Sequence, residues 1–161
     1  MKTIKQFCSE HSACLEGQEW ALAHCKNMQE VWSAAQPEWL IWVATRPGVL
    51  TERELRLFAV WCARSVQHLL TDPRSFEAIT VAERYANGDA TEGELAAARD
   101  AAWVAARDAD WEAAWSAAKA ASAAAWAAAR HADNAADWAA RAAARDAQAE
   151  WLRANTQPNF A

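Results

Sequence analysis

Glycine and proline are scarce, four of each in 161 residues. No stretch alternates apolar and polar residues between turn signals, so the pattern that marks strands is missing. The chain also lacks a block of charge of one sign: nine basic and eleven acidic residues precede Ala90, and seven and ten follow, for a net charge of -5. Without a basic face there is nothing to displace phosphate counterions, which argues against nucleic acid as a partner. MKTIKQFCSEHSAC carries two lysines but no apolar run of signal-peptide length before Ser9, Glu10 and His11. The longest uncharged run of the alanine-rich part, Ala120 to Ala129, is too short and too weakly apolar to span a bilayer. A cytoplasmic chain with no membrane partner is expected. Its four cysteines, Cys8, Cys14, Cys25 and Cys62, are then expected as reduced thiols.

Catalytic motifs are missing too. There is no glycine-rich phosphate loop and no glycine-bracketed serine. Cys62 and His68 are six residues apart on one expected helix, which turns them to different faces and separates a nucleophile from its base. Cys8, His11, Cys14 and the adjacent His24-Cys25 are zinc-type ligands at poor spacing, because neighbours on a regular helix cannot both point inward. His131, Asp133 and Asp137 read as a capping aspartate beside a solvated histidine. No metal, no cofactor and no enzymatic activity are expected.

What is present is alanine, tryptophan and charge. Forty-four residues are alanine and eleven are tryptophan, and 32 of the 65 residues from Ala90 to Ala154 are alanine. Alanine has the highest helix propensity, so the expected fold class is all-α: a compact multi-helix bundle of short N-terminal helices and longer alanine- and tryptophan-rich C-terminal helices. The length fits one domain, residues 1–161, made of a short-helix half (1–89), an alanine-rich half (90–154) and a tail (155–161).

Local signals place the elements. A helix from Ser9 to about Cys25 is expected to stop at Lys26-Asn27. MQEVWSAA and EWLIWVAT are two short helices separated by Gln36-Pro37, the second apolar enough for the centre of the core and ended by Arg46-Pro47-Gly48. Thr51-Glu52-Arg53-Glu54 has the capping-box form and opens a helix to about Leu70, with Leu55, Phe58, Trp61 or Cys62, Ser65 or Val66 and Leu69 as its apolar face. Thr71-Asp72-Pro73 starts the next helix, which ends near Tyr85 before Asn87-Gly88. Thr91-Glu92-Gly93-Glu94 repeats the box and opens the alanine-rich part. Unbroken to Arg130, that helix would be about 58 Å long, too long for a compact domain, so breaks are expected near Asp108 to Asp110 and near Asp133-Asn134. ARDAAW, ARDADW and ARDAQAEW are too brief for a solenoid repeat and read as local duplication.

Arg99, Trp103, Arg107, Trp111, Trp115 and Lys119 are spaced by four, so neighbours in the row touch on a continuous helix. Most such indoles belong to a core in which alanine lets helices approach and tryptophan fills the gaps. Tryptophan and arginine also dominate binding surfaces. The partner-binding residues expected on that ground are Arg99, Trp103, Arg107, Trp111, Trp138, Arg141 and Trp151; an intermediate arrangement has Trp111, Trp115 and Trp126 packed and Trp138 or Trp151 exposed, because few apolar partners follow residue 134.

CLEGQEWA from Cys14, EWLIWVATR from Glu38, CARSVQHL from Cys62 and YANGDATEGEL before an alanine-rich tail occur in order over residues 8 to 100. The set resembles the immunity proteins of bacterial polymorphic toxin systems, in the helical class with an alanine-rich C-terminal half. The resemblance implies a small cytoplasmic protein that binds and neutralises a toxin domain without catalysis. Such proteins travel on phage and plasmid genomes, so an inhibitor of a host defence protein is a neighbouring reading. Two other readings come from the residues: a nucleotide-like ligand in an indole-lined pocket with Arg64, Arg107 or Arg141 on its anionic group, and a homo-oligomer of alanine-rich helices about a twofold axis.

Overall fold

The computed structural model describes residues 2–65, 67–70, 72–108 and 135–161, with the side chains of 69, 105–108 and 135–141 outside that set. The protein is all-helical, with eight α-helices and no strand among the described residues. It divides into two compact units: residues 1–55 with 144–161, and residues 56–143.

In the first unit, α1 (Ile4–Glu10) begins at a capping box absent from the sequence-based expectation. Thr3 Oγ1 accepts from Gln6 N at 3.3 Å while Gln6 Oε1 accepts from Thr3 N at 2.9 Å. The expected single helix over Ser9 to Cys25 is therefore two. Ser12 sits at φ 54°, a left-handed conformation that interrupts the helical backbone. The Cys14 thiol then caps α2 (Leu15–His24), accepting from Gly17 N at 3.4 Å. A cysteine is not among the usual capping residues, which is why the spacing did not announce this start.

Lys26-Asn27 ends α2 as expected and also begins α3 (Met28–Ala34). Asn27 Oδ1 accepts from Glu30 N at 2.9 Å, and Glu30 Oε2 accepts from Lys26 N at 2.8 Å. α4 (Pro37–Ala44) has Pro37 in its first turn, where no N–H is needed. Leu40 and Ala44 are completely buried and Val43 nearly so, so this helix supplies core to the unit as its composition predicts.

Residues from far along the chain complete that core. α8 (Ala135–Asn155) contributes Ala149 and Leu152, both buried, and Phe160 lies edge-on to Phe7 at 5.9 Å and to Trp32 at 6.3 Å. Arg153 donates to the carbonyls of Trp32 and Ala35, placing a cation where the end of α3 leaves carbonyls without helical partners. The last residues are held by backbone bonds, Lys2 N to Phe160 O at 2.7 Å and Asn159 N to Val49 O at 2.8 Å.

α5 (Glu52–Ser65) starts in the first unit and continues in the second. Thr51 and Glu54 form the expected box. The helix stops at Ser65, short of the expected Leu70, and a 3-10 turn follows over Gln67–Leu69. Its one fully buried residue is Val60, while Leu55, Phe58, Trp61 and Cys62 are half-buried and Ser65 is exposed. The expected apolar face is thus only partly covered.

In the second unit α6 (Pro73–Asn87) is capped by Asp72 and ended by Gly88 at φ 85°, as the motifs indicate. It packs against α7 (Glu92–Asp108), which opens at the Thr91–Glu94 box. Arg84 joins the two, donating to Asp89 O at 2.9 Å and to Glu94 Oε1 at 3.3 Å. Arg56 lies 4.7 Å over the Tyr85 ring, and Arg64 pairs with Glu83. The break expected near Asp133-Asn134, and that beyond Asp108, lie outside the described residues. Among the described residues no helix is long and apolar enough to cross a membrane.

Glu54 also accepts from Gln157 N at 2.8 Å, so one carboxylate serves two elements of the first unit. Burial pushes this carboxyl up, but the N–H groups of Gln157 and Thr51, the Thr51 hydroxyl and the Arg53 charge outweigh it and hold it below the ordinary range. A carboxylate depressed on folding adds stability above its unfolded titration, about pH 4.3, and loses it as pH falls through the lowered value. Glu54→Ala should cost about 1–2 kcal/mol in urea unfolding at neutral pH and flatten the decline below about pH 4. An unchanged neutral midpoint would remove this role.

Candidate functional site

A cavity of about 400 Å³ lies within the first unit, among α1 to α4. Its position follows from helix phase. At the N-cap of α2 and along it, Cys14, Gly17 and Ala21 recur at three and four residues and share a face; on α4, Trp39 and Trp42 stand three apart on one face. Trp20, Trp39 and Trp42 line it together with Phe7, Met28 and Val31. Trp20 and Trp39 are tilted by 50° with centroids 5.3 Å apart, and Phe7 meets Trp42 edge-on at 6.2 Å. The outer contacts of two indoles are also fixed. His24 stacks on Trp20 at 5.5 Å with its Nδ1 2.8 Å from Trp20 O, and the Arg46 guanidinium sits 4.8 Å over Trp42 while its Nε donates to Trp42 O at 3.0 Å.

Polar groups at the cavity are few. Two are the Cys8 and Cys14 thiols, and a third is the Glu38 carboxylate, which accepts from Arg145 Nη1 at 2.7 Å. A Cβ built on Gly17 would lie 3.2 Å from Cys14 Sγ and 3.6 Å from the Trp39 indole, so this position keeps the two side chains close. Burial raises the Cys8 thiol, and the proximity of Cys14 adds to it; Cys25 is raised by burial and then by Glu30. Both are therefore neutral thiols at pH 7.

The zinc-type residues do not converge. Cys8 lines the cavity, the His11 ring packs on Phe7 at 4.5 Å, Cys14 caps α2, His24 is exposed and Cys25 is buried at the end of α2. Among the described residues no three histidine, cysteine or acidic side chains are placed to share a metal ion. Cys62 lies on α5 and His68 on the 3-10 turn, so the two are not on one helix after all.

Of the expected partner-binding residues, Arg99 and Trp103 stand one turn apart on α7 and both are exposed, Trp103 at 69% with Val104 beside it at 46%. Arg99 Nε lies 3.8 Å from Asp100 Oδ1, itself exposed. Arg107 is on α7, and Trp138 and Arg141 are on α8, with side chains outside the described residues; Trp111 lies outside them entirely, as do Trp115 and Trp126. Trp151 is half-buried on α8 in the first unit. Arg64 donates to Glu83 Oε2 from Nε at 3.1 Å, and it does not line the indole cavity.

Trp39 and Trp42 were legible only as core, within EWLIWVAT. The i, i+3 pair Trp39 and Trp42 and the small face of α2 could have marked the cavity, but joining them needs the turn at Ser12 to bring α1 and α2 together. Exposure and protonation set an order of thiol reactivity: iodoacetamide should label Cys14 well before Cys8 and Cys25 at pH 7.5, read by peptide mass spectrometry. Equal rates at Cys8 and Cys14 would contradict the burial described. No protein-family model, curated protein or solved structure matches the chain.

Proposed function

We propose that this chain is a non-catalytic protein-binding inhibitor, an immunity protein that neutralises a bacterial toxin domain, as its resemblance implies. One observation carries the binding part of that reading. α7 presents Trp103, 69% exposed, next to Val104 and one turn from the exposed Arg99. A large indole held in water forgoes the stabilisation that burial would give, and covering it on association recovers that stabilisation. Tryptophan and arginine are also the residues most enriched among those that dominate binding energy. A net charge of -5 favours encounter with a basic partner.

The nucleotide-like reading draws less support. Among the described residues no lysine or arginine lines the indole cavity, and Arg145 beside it is already paired with Glu38, so an anionic group there meets no free counter-charge. An inhibitor of a host defence protein uses the same surface and differs only in what it covers.

The tagged chain should capture a protein whose own expression arrests growth, and co-expression of the chain should restore growth. Trp103→Ala should weaken that complex by about 2–4 kcal/mol while leaving the melting temperature unchanged, because the ring makes little of the folded interior. Failure to rescue would count against neutralisation, and full affinity in Trp103→Ala would count against α7 as the docking face.

A further inference from the structure

We propose that the cavity among α1 to α4 is a binding site for a small, neutral aromatic molecule, a role separate from any protein docking on α7. Charge decides the class. Among the described residues the only charged one that lines the cavity is Glu38, itself exposed, and its Oε1 accepts from Arg145 Nη1 at 2.7 Å. An anion would face that carboxylate, and the Arg145 charge beside it is already offset by the pairing. A cation would find the carboxylate taken and a guanidinium beside it. A neutral guest pays neither penalty, since desolvating a charge without a partner is costly.

The walls select among neutral guests. Indole and phenyl rings attract another ring in tilted, offset or edge-on arrangements with centroids about 4.5–7 Å apart. Trp20 with Trp39, and Phe7 with Trp42, already adopt such arrangements at 5.3 and 6.2 Å, so an aromatic guest extends a pattern the cavity contains. At about 400 Å³ the space falls within the usual range for ligand sites, about 300–1,000 Å³.

The space is kept open by small residues. Ala13, Gly17, Ala21 and Ala35 all line it, and Ala21 and Ala35 are buried. Elsewhere the same unit fills its interior with Ile4, Leu40 and Leu152, as close packing requires. Ser12 adds a second mark. This exposed residue also lines the cavity, in a left-handed conformation that a non-glycine residue rarely holds and that recurs at ligand sites. Among the described residues that line the cavity, Ser12 alone carries a hydroxyl that could meet a polar substituent on the ring.

Titration calorimetry of the full chain with naphthylmethanol, naphthoate and naphthylmethylamine tests charge with the ring held constant. Naphthylmethanol should bind saturably and at least about tenfold more tightly than either charged analogue. Ala21→Leu, which fills the space, should weaken it by at least about tenfold, whereas Trp103→Ala should leave it unchanged. Should Ala21→Leu fail to fold, the unsubstituted chain still decides: naphthylmethanol at saturation should slow alkylation of Cys14 severalfold and leave Cys62, in the other unit, at its original rate. No saturable binding, a charged analogue bound as well as the alcohol, full affinity in folded Ala21→Leu, or an unprotected Cys14 would each overturn the proposal.

Discussion

The burial of Leu152 is the contact on which the first unit depends. Its side chain is wholly enclosed, and it brings with it Ala149, Arg153 and Phe160. Arg153 satisfies carbonyls at the end of α3, Gln157 bonds the carboxylate that caps α5, and Phe160 packs on Phe7 of α1 and Trp32 of α3. Two short helices, α1 and α3, and the start of the longer α5 thus have an end or a face that residues 144–161 complete. Short helices are marginal in isolation, and α1 and α3 have seven residues each. Their persistence rests on packing brought from more than a hundred residues away, and the entropy of closing so long a loop grows only slowly with its length.

Signals confined to a few residues were legible. The boxes at Thr51 and Thr91, the Asp72-Pro73 start and the Asn87-Gly88 stop are each a local hydrogen-bonding or conformational need that particular side chains meet, and each is found where its residues stand. Abundant alanine likewise identified an all-helical chain. Two local features went unread. Thr3 with Gln6 is a full capping box, and Cys14 caps with sulfur where oxygen is usual. The consequence was one helix expected where α1, a left-handed Ser12 and α2 exist.

The cavity was illegible for a different reason. Nothing in CLEGQEWA or EWLIWVAT says that Gly17 will lie within reach of the Trp39 indole, because that contact joins two helices through a turn and a third helix. The sequence directed attention to the regular row of indoles and cations from residue 99, of which Arg99 and Trp103 are exposed. In the N-terminal part, irregularly spaced tryptophans enclose the space instead. Small residues there do more than permit close approach: at 13, 17, 21 and 35 they leave room beside the rings.

The dependence of the first unit on residues 144–161 is tested most directly by urea unfolding of Leu152→Ala. Removing a fully enclosed leucine should lower stability by about 2–5 kcal/mol and expose Cys8 and Cys25 to alkylation. A loss below about 0.5 kcal/mol, the range of ordinary surface changes, with both thiols still protected, would show that the N-terminal helices hold together without that segment.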